Sequence, residues 1–296
     1  MNLTTFLKQS FFPFSMKPEW LKVSIPSTED YARIKSLSDG NTHTICEEAH
    51  CPNIAECWHN KTATFLILGD TCTRNCQYCN VKTGTPQKVD AKEPEKVAEI
   101  IKKLDIKYAV ITSVTRDDLA DGGARTFKDT IKAIRNLTDA KVEVLTPDFK
   151  GDIGAMRSVL SAEPDVFAHN IETVERLFPK LRSEADFKRS ILFLKNIKAI
   201  DPKQITKSGL MIGLGETKAE IEKTMRILRL AKVDILTIGQ YLQPRPDLAP
   251  VDKYYTPEEF NELKTMAQNL GFKHVESAPL VRSSYNAEQS YLDAIK

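Results

Sequence analysis

Cys72, Cys76 and Cys79 stand in the spacing C-x3-C-x2-C, directly after the apolar run TATFLILG and Asp70. Three thiolates on one tight loop can hold three irons of a four-iron cluster. The fourth iron then has no ligand from the motif and is open to a substrate or cofactor, as the fourth position is at a catalytic zinc site. The alternative is a structural zinc that takes its fourth ligand from His50, His59 or another cysteine. Zinc ligands usually read C-x2-C with a second pair downstream, a pattern this triple fits poorly.

A second triple, Cys46-x4-Cys51-x5-Cys57, is again one ligand short of a full set. Its spacing is less specific, and free cysteines also pack as small hydrophobes. The polar neighbours Glu47, Glu48, His50, Asn53 and Glu56 argue against burial of all three. A second cluster is the better reading, its fourth ligand coming from outside the triple or from solvent. All six cysteines lie between residues 46 and 79. A disulfide framework would spread its bridges over the fold and belongs to small secreted chains, so this clustering points to metal.

Elements able to position these thiols are readable downstream. Strand-length apolar runs recur as TATFLILG, YAVITSV at 108–114, KVEVLTP at 141–147, VFAHNIE at 166–172, SGLMIGL at 208–214 and ILTIGQYL at 235–242. Their continuous apolar character suits parallel strands covered on both faces. Helices alternate with them. Residues Pro94, Glu95, Val97, Ile100, Ile101 and Leu104 fit the first crossover helix. Thr217 with Glu220, and Thr256 with Pro257 and Glu259, open two more, and Gly271 closes the last. Six β–α repeats predict an α/β fold, a partial (β/α)6 TIM-like barrel with N- and C-terminal extensions. In such a barrel the first loop opens onto the C-terminal face, where active sites are built. No Gly-x-Gly-x-x-Gly turn follows the first strand, which removes support for a dinucleotide fold. The expected division is an extension over 1–60 carrying the second triple, a barrel over 61–272 and a tail over 273–296.

The 296 residues suffice for one large domain. A net charge of +2 is too small to argue for nucleic acid or an anionic membrane. No apolar run approaches the ~20 residues that cross a bilayer. The apolar patch at Phe11, Phe12 and Phe14 lacks a charged start, a continuous apolar core and a cleavage site, and no arginine precedes Arg33. The expectation is a cytoplasmic chain without a leader.

The C-x3-C-x2-C loop after the first strand resembles the radical S-adenosylmethionine superfamily. Together with C-x4-C-x5-C upstream and Arg282-Ser283-Ser284-Tyr285 near the end, the chain is similar to the lipoyl synthase family. The resemblance runs through KPEWLKV at 17–23, CEEAHCPNIAECW at 46–58, TCTRNCQYCNV at 71–81, SVTRDDLADGGA at 113–124 and VRSSYNAEQ at 281–289.

That resemblance implies two [4Fe–4S] clusters and S-adenosyl-L-methionine as cofactors. Cys72, Cys76 and Cys79 would hold the cluster that binds S-adenosylmethionine and cleaves it to a hydrogen-abstracting radical. Cys46, Cys51 and Cys57 would hold an auxiliary cluster that donates its sulfur, with Ser284, rather than Ser283, as fourth ligand. A hard alkoxide matches a sulfur-rich iron site poorly, which suits a ligand that must leave. A turn in which both serines hydrogen-bond backbone groups is the plainer alternative. Arg282 is placed to steady a carboxylate or cluster sulfurs.

Asp121, Gly122 and Gly123 end the loop after the second strand, where the family sets backbone against the methionyl end of the cofactor. An ordinary β–α turn is the alternative there. Asn170 and Glu172 are candidates for cofactor or substrate contacts, while His169 is expected to pack inside the fold. Gly213, Gly215 and Glu216 resemble the adenosine-side surface, and Gln240 and Arg245 are weaker candidates. The activity implied is insertion of sulfur at C6 and C8 of an octanoyl-lysine. Its carriers would be lipoyl domains (2-oxoacid dehydrogenase E2 subunits, the glycine cleavage H protein), with flavodoxin or ferredoxin as electron donor and a monomeric enzyme. A methylthiotransferase is the nearest rival, but no nucleic-acid-binding domain follows residue 250. An electron-transfer protein would need neither an open iron nor a scaffold of roughly 200 residues, the size of barrel enzymes.

Overall fold

A computed structural model describes residues 17–22, 43–48, 51 and 53–296. The apolar patch at Phe11–Phe14 and the alternative ligand His50 lie outside the described residues. In chain order the strands are β1 (His43–Thr44), β2 (Thr62–Ile67), β3 (Thr71–Cys72), β4 (Lys82–Thr83) and β5 (Tyr108–Ser113). They continue as β6 (Lys141–Leu145), β7 (Val166–Ala168), β8 (Ile205–Ile212), β9 (Ile235–Gln240) and β10 (His274–Ser277). Every apolar run read from the sequence is one of these.

The main sheet has the order β1-β2-β5-β6-β7-β8-β9-β10. From β2 to β10 all neighbours are parallel, with registers such as Thr62 opposite Tyr108 and Lys207 opposite Ile235. Only β1 runs antiparallel, placing His43 opposite Leu66. Among the described residues β1 and β10 remain the two ends of the sheet, so the barrel is partial. The segment set apart as a tail begins with β10, a seventh parallel strand, which pairs through His274 opposite Ile235.

Alternation along each strand gives the sheet two faces. Phe65, Ile111, Val144, Phe167, Ile212 and Ile238 face the helix layer in one large buried core. Each such side chain contributes about 1.5–3 kcal/mol by leaving water. The other face carries Tyr108, Val110, Val166, Ile205 and Ile235, which pack on Ala287, Tyr291 and Ala294 of the last helix, Ala287–Ala294. On this inner face Lys207 Nζ donates to Glu143 at 2.9 and 3.1 Å, and Tyr108 OH donates to the same carboxylate at 2.9 Å.

The helices begin where their capping residues stand. Lys218–Leu230 and Pro257–Asn269 both carry reciprocal capping boxes, at Thr217/Glu220 and Thr256/Glu259. Gly271 follows the second in a left-handed conformation, φ 89°. All parallel strands point their C-terminal ends at one edge, and Cys72, Cys76 and Cys79 lie on the chain leaving β2 there, while Cys46, Cys51 and Cys57 lie between antiparallel β1 and the start of β2.

Candidate active site

The chain leaves β2 through two left-handed residues, Leu68 (φ 69°) and Gly69 (φ 88°). The Leu68 amide donates to Glu93 Oε2 at 2.8 Å, tying that bend to the first crossover helix, Glu93–Lys103. β3 and β4 then pair Cys72 opposite Thr83. Cys72 Sγ accepts from the backbone N–H of Thr115, beyond β5, at 3.3 Å and from that of Arg74 at 3.4 Å. Burial pushes the Cys79 thiol up to about 12, reinforced by the neighbouring sulfurs of Cys76 and Cys72 and by Glu172. Burial also raises Cys76, against the pull of Arg182. The three sulfurs thus share one small region, with a cation beside it.

Arg74, inside the motif, fastens this loop to the turns after β5 and β6. Its Nε donates to Asp117 Oδ2 at 2.7 Å and its Nη2 to Asp148 Oδ1 at 2.7 Å. Asp148 also accepts from Arg189 Nε at 2.6 Å. Burial alone would raise the Asp148 carboxyl, but Arg74, His169 and Arg189 together hold it below the usual carboxylate range. The Gln77 amide donates to Leu181 O at 2.9 Å and the Ala249 amide to Gln77 O at 2.8 Å.

Beyond β7 stand Asn170 and Glu172. Glu172 adopts a left-handed conformation, φ 68°, and bridges to Leu210 of β8. Burial raises its carboxyl, opposed by Arg182 and by a hydrogen bond from the Asn170 side chain. Asn170 Oδ1 itself is buried without a partner, as are Arg182 Nε and Ser113 Oγ at the end of β5. Burial opposes the charge on Arg182, yet Tyr78, Glu172 and Cys76 hold its pKa above the ordinary value. This cluster of a guanidinium, an amide and a carboxyl borders Cys76. His169 packs inside, its Nδ1 2.9 Å from Thr146 O and its ring against Phe193.

Gly122 and Gly123 both take positive φ, 61° and 92°. A Cβ on Gly123 would lie 2.3 Å from Leu68 Cδ1, so this turn and the bend before the cysteine loop are packed together. Glu216, by contrast, is occupied by backbone, accepting from Gly213 N–H at 2.6 Å and Leu214 N–H at 2.9 Å. Gln240 is likewise engaged: Nε2 donates to Ile212, Tyr241 and Lys253 carbonyls, and Oε1 accepts from the Tyr255 amide. Both brace the turn after β8. Arg245 is exposed and paired with Asp247.

The second triple lies on the chain between β1 and β2. Cys46 follows β1 within the short helix Ile45–Glu48 and is buried. The Cys51 amide donates to Cys46 O at 2.9 Å, and Cys57 sits in the helix Ile54–His59. Burial pushes Cys57 up to about 12, with Cys46, Cys51 and Glu56 adding to it. Cys51 is also raised by burial, countered by the Asn53 N–H and by the charge of Arg282. Arg282 belongs to the segment after β10, where burial lowers its pKa against the pull of Cys51. Tyr285 OH, from the same segment, donates to Glu56 Oε1 at 3.0 Å. Ser283 and Ser284 occupy the turn between these two residues, and among the described residues no hydrogen bond engages either hydroxyl. The N-terminal extension and the tail, which flank opposite ends of the open sheet, meet here.

Comparison with known proteins resolves what this arrangement is. Residues 66–228 match the radical SAM superfamily, and residues 14–51 match the N-terminal domain of lipoyl synthase of the radical SAM family. The lipoyl synthase of Rubrobacter xylanophilus is 54% identical over 280 residues, 94% of this chain and 87% of that protein. That of Caldicellulosiruptor saccharolyticus is 54% identical over 276 residues, 93% and 97% of the two chains. The chain belongs to the lipoyl synthase family. It is a radical S-adenosylmethionine enzyme of the sulfurtransferase type, and S-adenosylmethionine and [4Fe–4S] clusters are its cofactors. Among solved structures, Streptococcus suis SuiB bound to S-adenosylmethionine shares the fold, with a TM-score of 0.54 at 11% identity over 73% of this chain and 50% of that one. Coproporphyrinogen III oxidase (HemN) from Escherichia coli does so with a TM-score of 0.52 at 13% identity, over 77% and 58%.

In each triple burial and the neighbouring sulfurs raise a thiol, Cys57 in one and Cys79 in the other, so iron held there would have to drive deprotonation against burial. No three Cys, His, Asp or Glu side chains among the described residues are gathered tightly enough for a single ion. No helix among the described residues is long and apolar enough to cross a membrane. Arg182, Arg74 with Asp148, and Asn53 were not legible as site residues in the sequence. The fold brings Arg182 and Asp148 to the Cys72–Cys79 loop, and gives Arg74 and Asn53, which stand inside the two motifs, their distant partners Asp148 and Leu280.

Proposed function

We propose that this chain inserts two sulfur atoms, at C6 and C8, into an octanoyl chain carried as an amide on a lysine of a lipoyl carrier domain. The observation that carries the reading is the meeting of the Cys46–Cys57 segment with the serine-bearing turn, through Asn53 Nδ2 to Leu280 O at 2.7 Å and Tyr285 OH to Glu56 Oε1 at 3.0 Å, in a chain whose other triple stands on the loop after β2. Cys72, Cys76 and Cys79 hold the cluster that engages S-adenosylmethionine. Cys46, Cys51 and Cys57 hold the auxiliary cluster, with Ser284, in preference to Ser283, as its fourth ligand. When bound, these groups supply one-electron cleavage of the sulfonium for hydrogen abstraction and a source of sulfur. The serines stand between Arg282, whose charge acts on Cys51, and Tyr285, bonded to Glu56, which supports a ligand role at the Cys46, Cys51 and Cys57 site.

The protein's own groups bind and orient. Gly122 and Gly123 let backbone approach the methionyl end of S-adenosylmethionine. Asn170 and Glu172 contact the same cofactor, and Arg182 presents a guanidinium suited to its carboxylate. The acyl-lysine arms come from 2-oxoacid dehydrogenase E2 subunits and the glycine cleavage H protein. Flavodoxin or ferredoxin delivers electrons to a monomeric, cytoplasmic enzyme.

The test is iron and acid-labile sulfide content of anaerobically purified protein, with turnover of an octanoyl-lysine peptide. About eight irons and eight sulfides per chain, as two four-iron clusters require, with a dithiolated product, is the expected result. About four irons after anaerobic reconstitution, with deoxyadenosine formed but no sulfur inserted, overturns it.

A further inference from the structure

Asn53 is buried, 6% exposed, between the two residues it serves. Its backbone N–H faces the Cys51 sulfur, and its carbonyl accepts from the Cys57 amide at 3.0 Å. Its side-chain Nδ2 reaches across 227 residues of sequence and donates to Leu280 O at 2.7 Å. Leu280 lies four residues before Ser284. One residue therefore touches the auxiliary cysteine segment on two sides and the tail on the third.

The opposite side of the tail is set by a glycine. A Cβ on Gly239, in β9, would lie 2.0 Å from Val281 O and 3.5 Å from Arg282 Nη1. The Gln240 amide donates to Pro279 O at 3.2 Å, so the tail lies against β9 at the closest approach a backbone allows. Downstream the Ala287–Ala294 helix is seated on the inner face of the sheet.

We propose that Asn53 is a positioning residue that seats the Ser284 turn over the Cys46, Cys51 and Cys57 sulfurs, with Gly239 providing the clearance that lets the turn lie there. The proposal rests on the ligand reading of Ser284. Neither residue touches substrate; both act through the place they give the tail.

Asn53→Asp keeps the shape and replaces the donor with a carboxylate facing a carbonyl. In the reconstituted enzyme, amide hydrogen exchange at Val281 and Tyr285 is expected to quicken by at least about tenfold, while the Thr73 and Gln77 amides of the other cysteine loop keep their protection. Sulfur insertion falls by a similar factor, and deoxyadenosine formation stays within about twofold. Gly239→Ala, which leaves Asn53 intact, is expected to give the same split. In the unaltered protein, the Cys57, Val281 and Tyr285 amides must lose protection together as denaturant rises, a result that needs no variant. Unchanged tail exchange in Asn53→Asp, or separate opening of Cys57 and Tyr285 in the unaltered protein, overturns the proposal. Ser284→Ala separates the two ideas. If it keeps full sulfur insertion, the ligand reading fails, and the exchange results still decide the role of Asn53.

Discussion

Asp148 accepts Arg74 Nη2 at 2.7 Å, joining the turn after β6 to the middle of the Cys72–Cys79 loop with a carboxylate that has no solvent exposure. Asp148 is in turn shared with Arg189. The Cys72–Cys79 loop is therefore held by a buried charge network as well as by its own turns. Removing one member of such a network leaves an uncompensated buried charge.

Asp148→Asn tests that consequence. It preserves shape but leaves the Arg74 and Arg189 guanidinium groups without their shared anion. We expect a loss of about 3–5 kcal/mol of stability, the usual result of breaking a buried pair from one side. Urea unfolding followed by circular dichroism measures it. A change below about 1 kcal/mol, the scale of an exposed pair, would show that the network does not hold the loop.

Gly123→Ala probes the contact between the glycine turn and the cysteine loop. At φ 92° an alanine is strained, and its Cβ would press on Leu68 Cδ1 from 2.3 Å. The strain and the overpacking together are expected to lower stability by about 2–4 kcal/mol. Because Leu68 opens the bend into the cysteine loop, KM for S-adenosylmethionine is expected to rise by about tenfold, or 1.4 kcal/mol. Steady-state kinetics of deoxyadenosine release decide it; an unchanged KM with lowered stability would make the turn purely architectural.

Much of this was legible in the sequence because each signal was local. The six apolar runs are continuous since both faces of a parallel strand are covered, and the capping boxes at Thr217 and Thr256 depend on residues three apart. β10 escaped notice because its sequence, HVES, alternates. His274 and Glu276 pair with each other, and His274 also pairs with Asp293 of the last helix, so only Val275 and Ser277 enter the buried core region. Arg182 carries no local signal. Its place beside Cys76 and Glu172 is set by the turn following β7 and is visible only once Gln77 is seen bonded to Leu181. Glu216 and Gln240 show contacts that the sequence does not display. Glu216, in the turn after β8, accepts the Gly213 and Leu214 amides, and Gln240, at the end of β9, is engaged by backbone of Ile212, Tyr241, Lys253 and Tyr255, partners that only the fold brings to them.

His169 gives a pH prediction. Burial, aided by Arg182, lowers its pKa from 6.5 to about 4. Below pH 6.5 the unfolded chain takes up a proton that the folded chain does not. Stability from this group is therefore complete above pH 6.5, is lost progressively as pH falls to about 4, and declines no further below that. The full span is on the order of 3 kcal/mol. His169→Phe, which keeps an aromatic ring against Phe193, is expected to flatten the dependence of the urea midpoint between pH 6.5 and 4.5. An equally steep dependence in the variant would assign the acid sensitivity to carboxylates.

The division of labour between the two triples has the clearest chemical signature. Cys72, Cys76 and Cys79 share their region with Arg182, Glu172 and Asn170, groups able to bind and orient a small charged cofactor. Cys46, Cys51 and Cys57 have the tail instead, through Arg282, Tyr285 and the serines between them. Replacing Cys72, Cys76 and Cys79 together by alanine is expected to abolish deoxyadenosine formation and every later product. Replacing Cys46, Cys51 and Cys57 is expected to spare cleavage of S-adenosylmethionine while removing sulfur transfer, and to lower iron content by about half, one four-iron cluster of two. Chromatographic measurement of deoxyadenosine beside mass spectrometry of the peptide reads both in one reaction. If the second variant transfers sulfur, the sulfur source lies outside the Cys46–Cys57 segment. The tail's contacts with that segment would then serve stability alone.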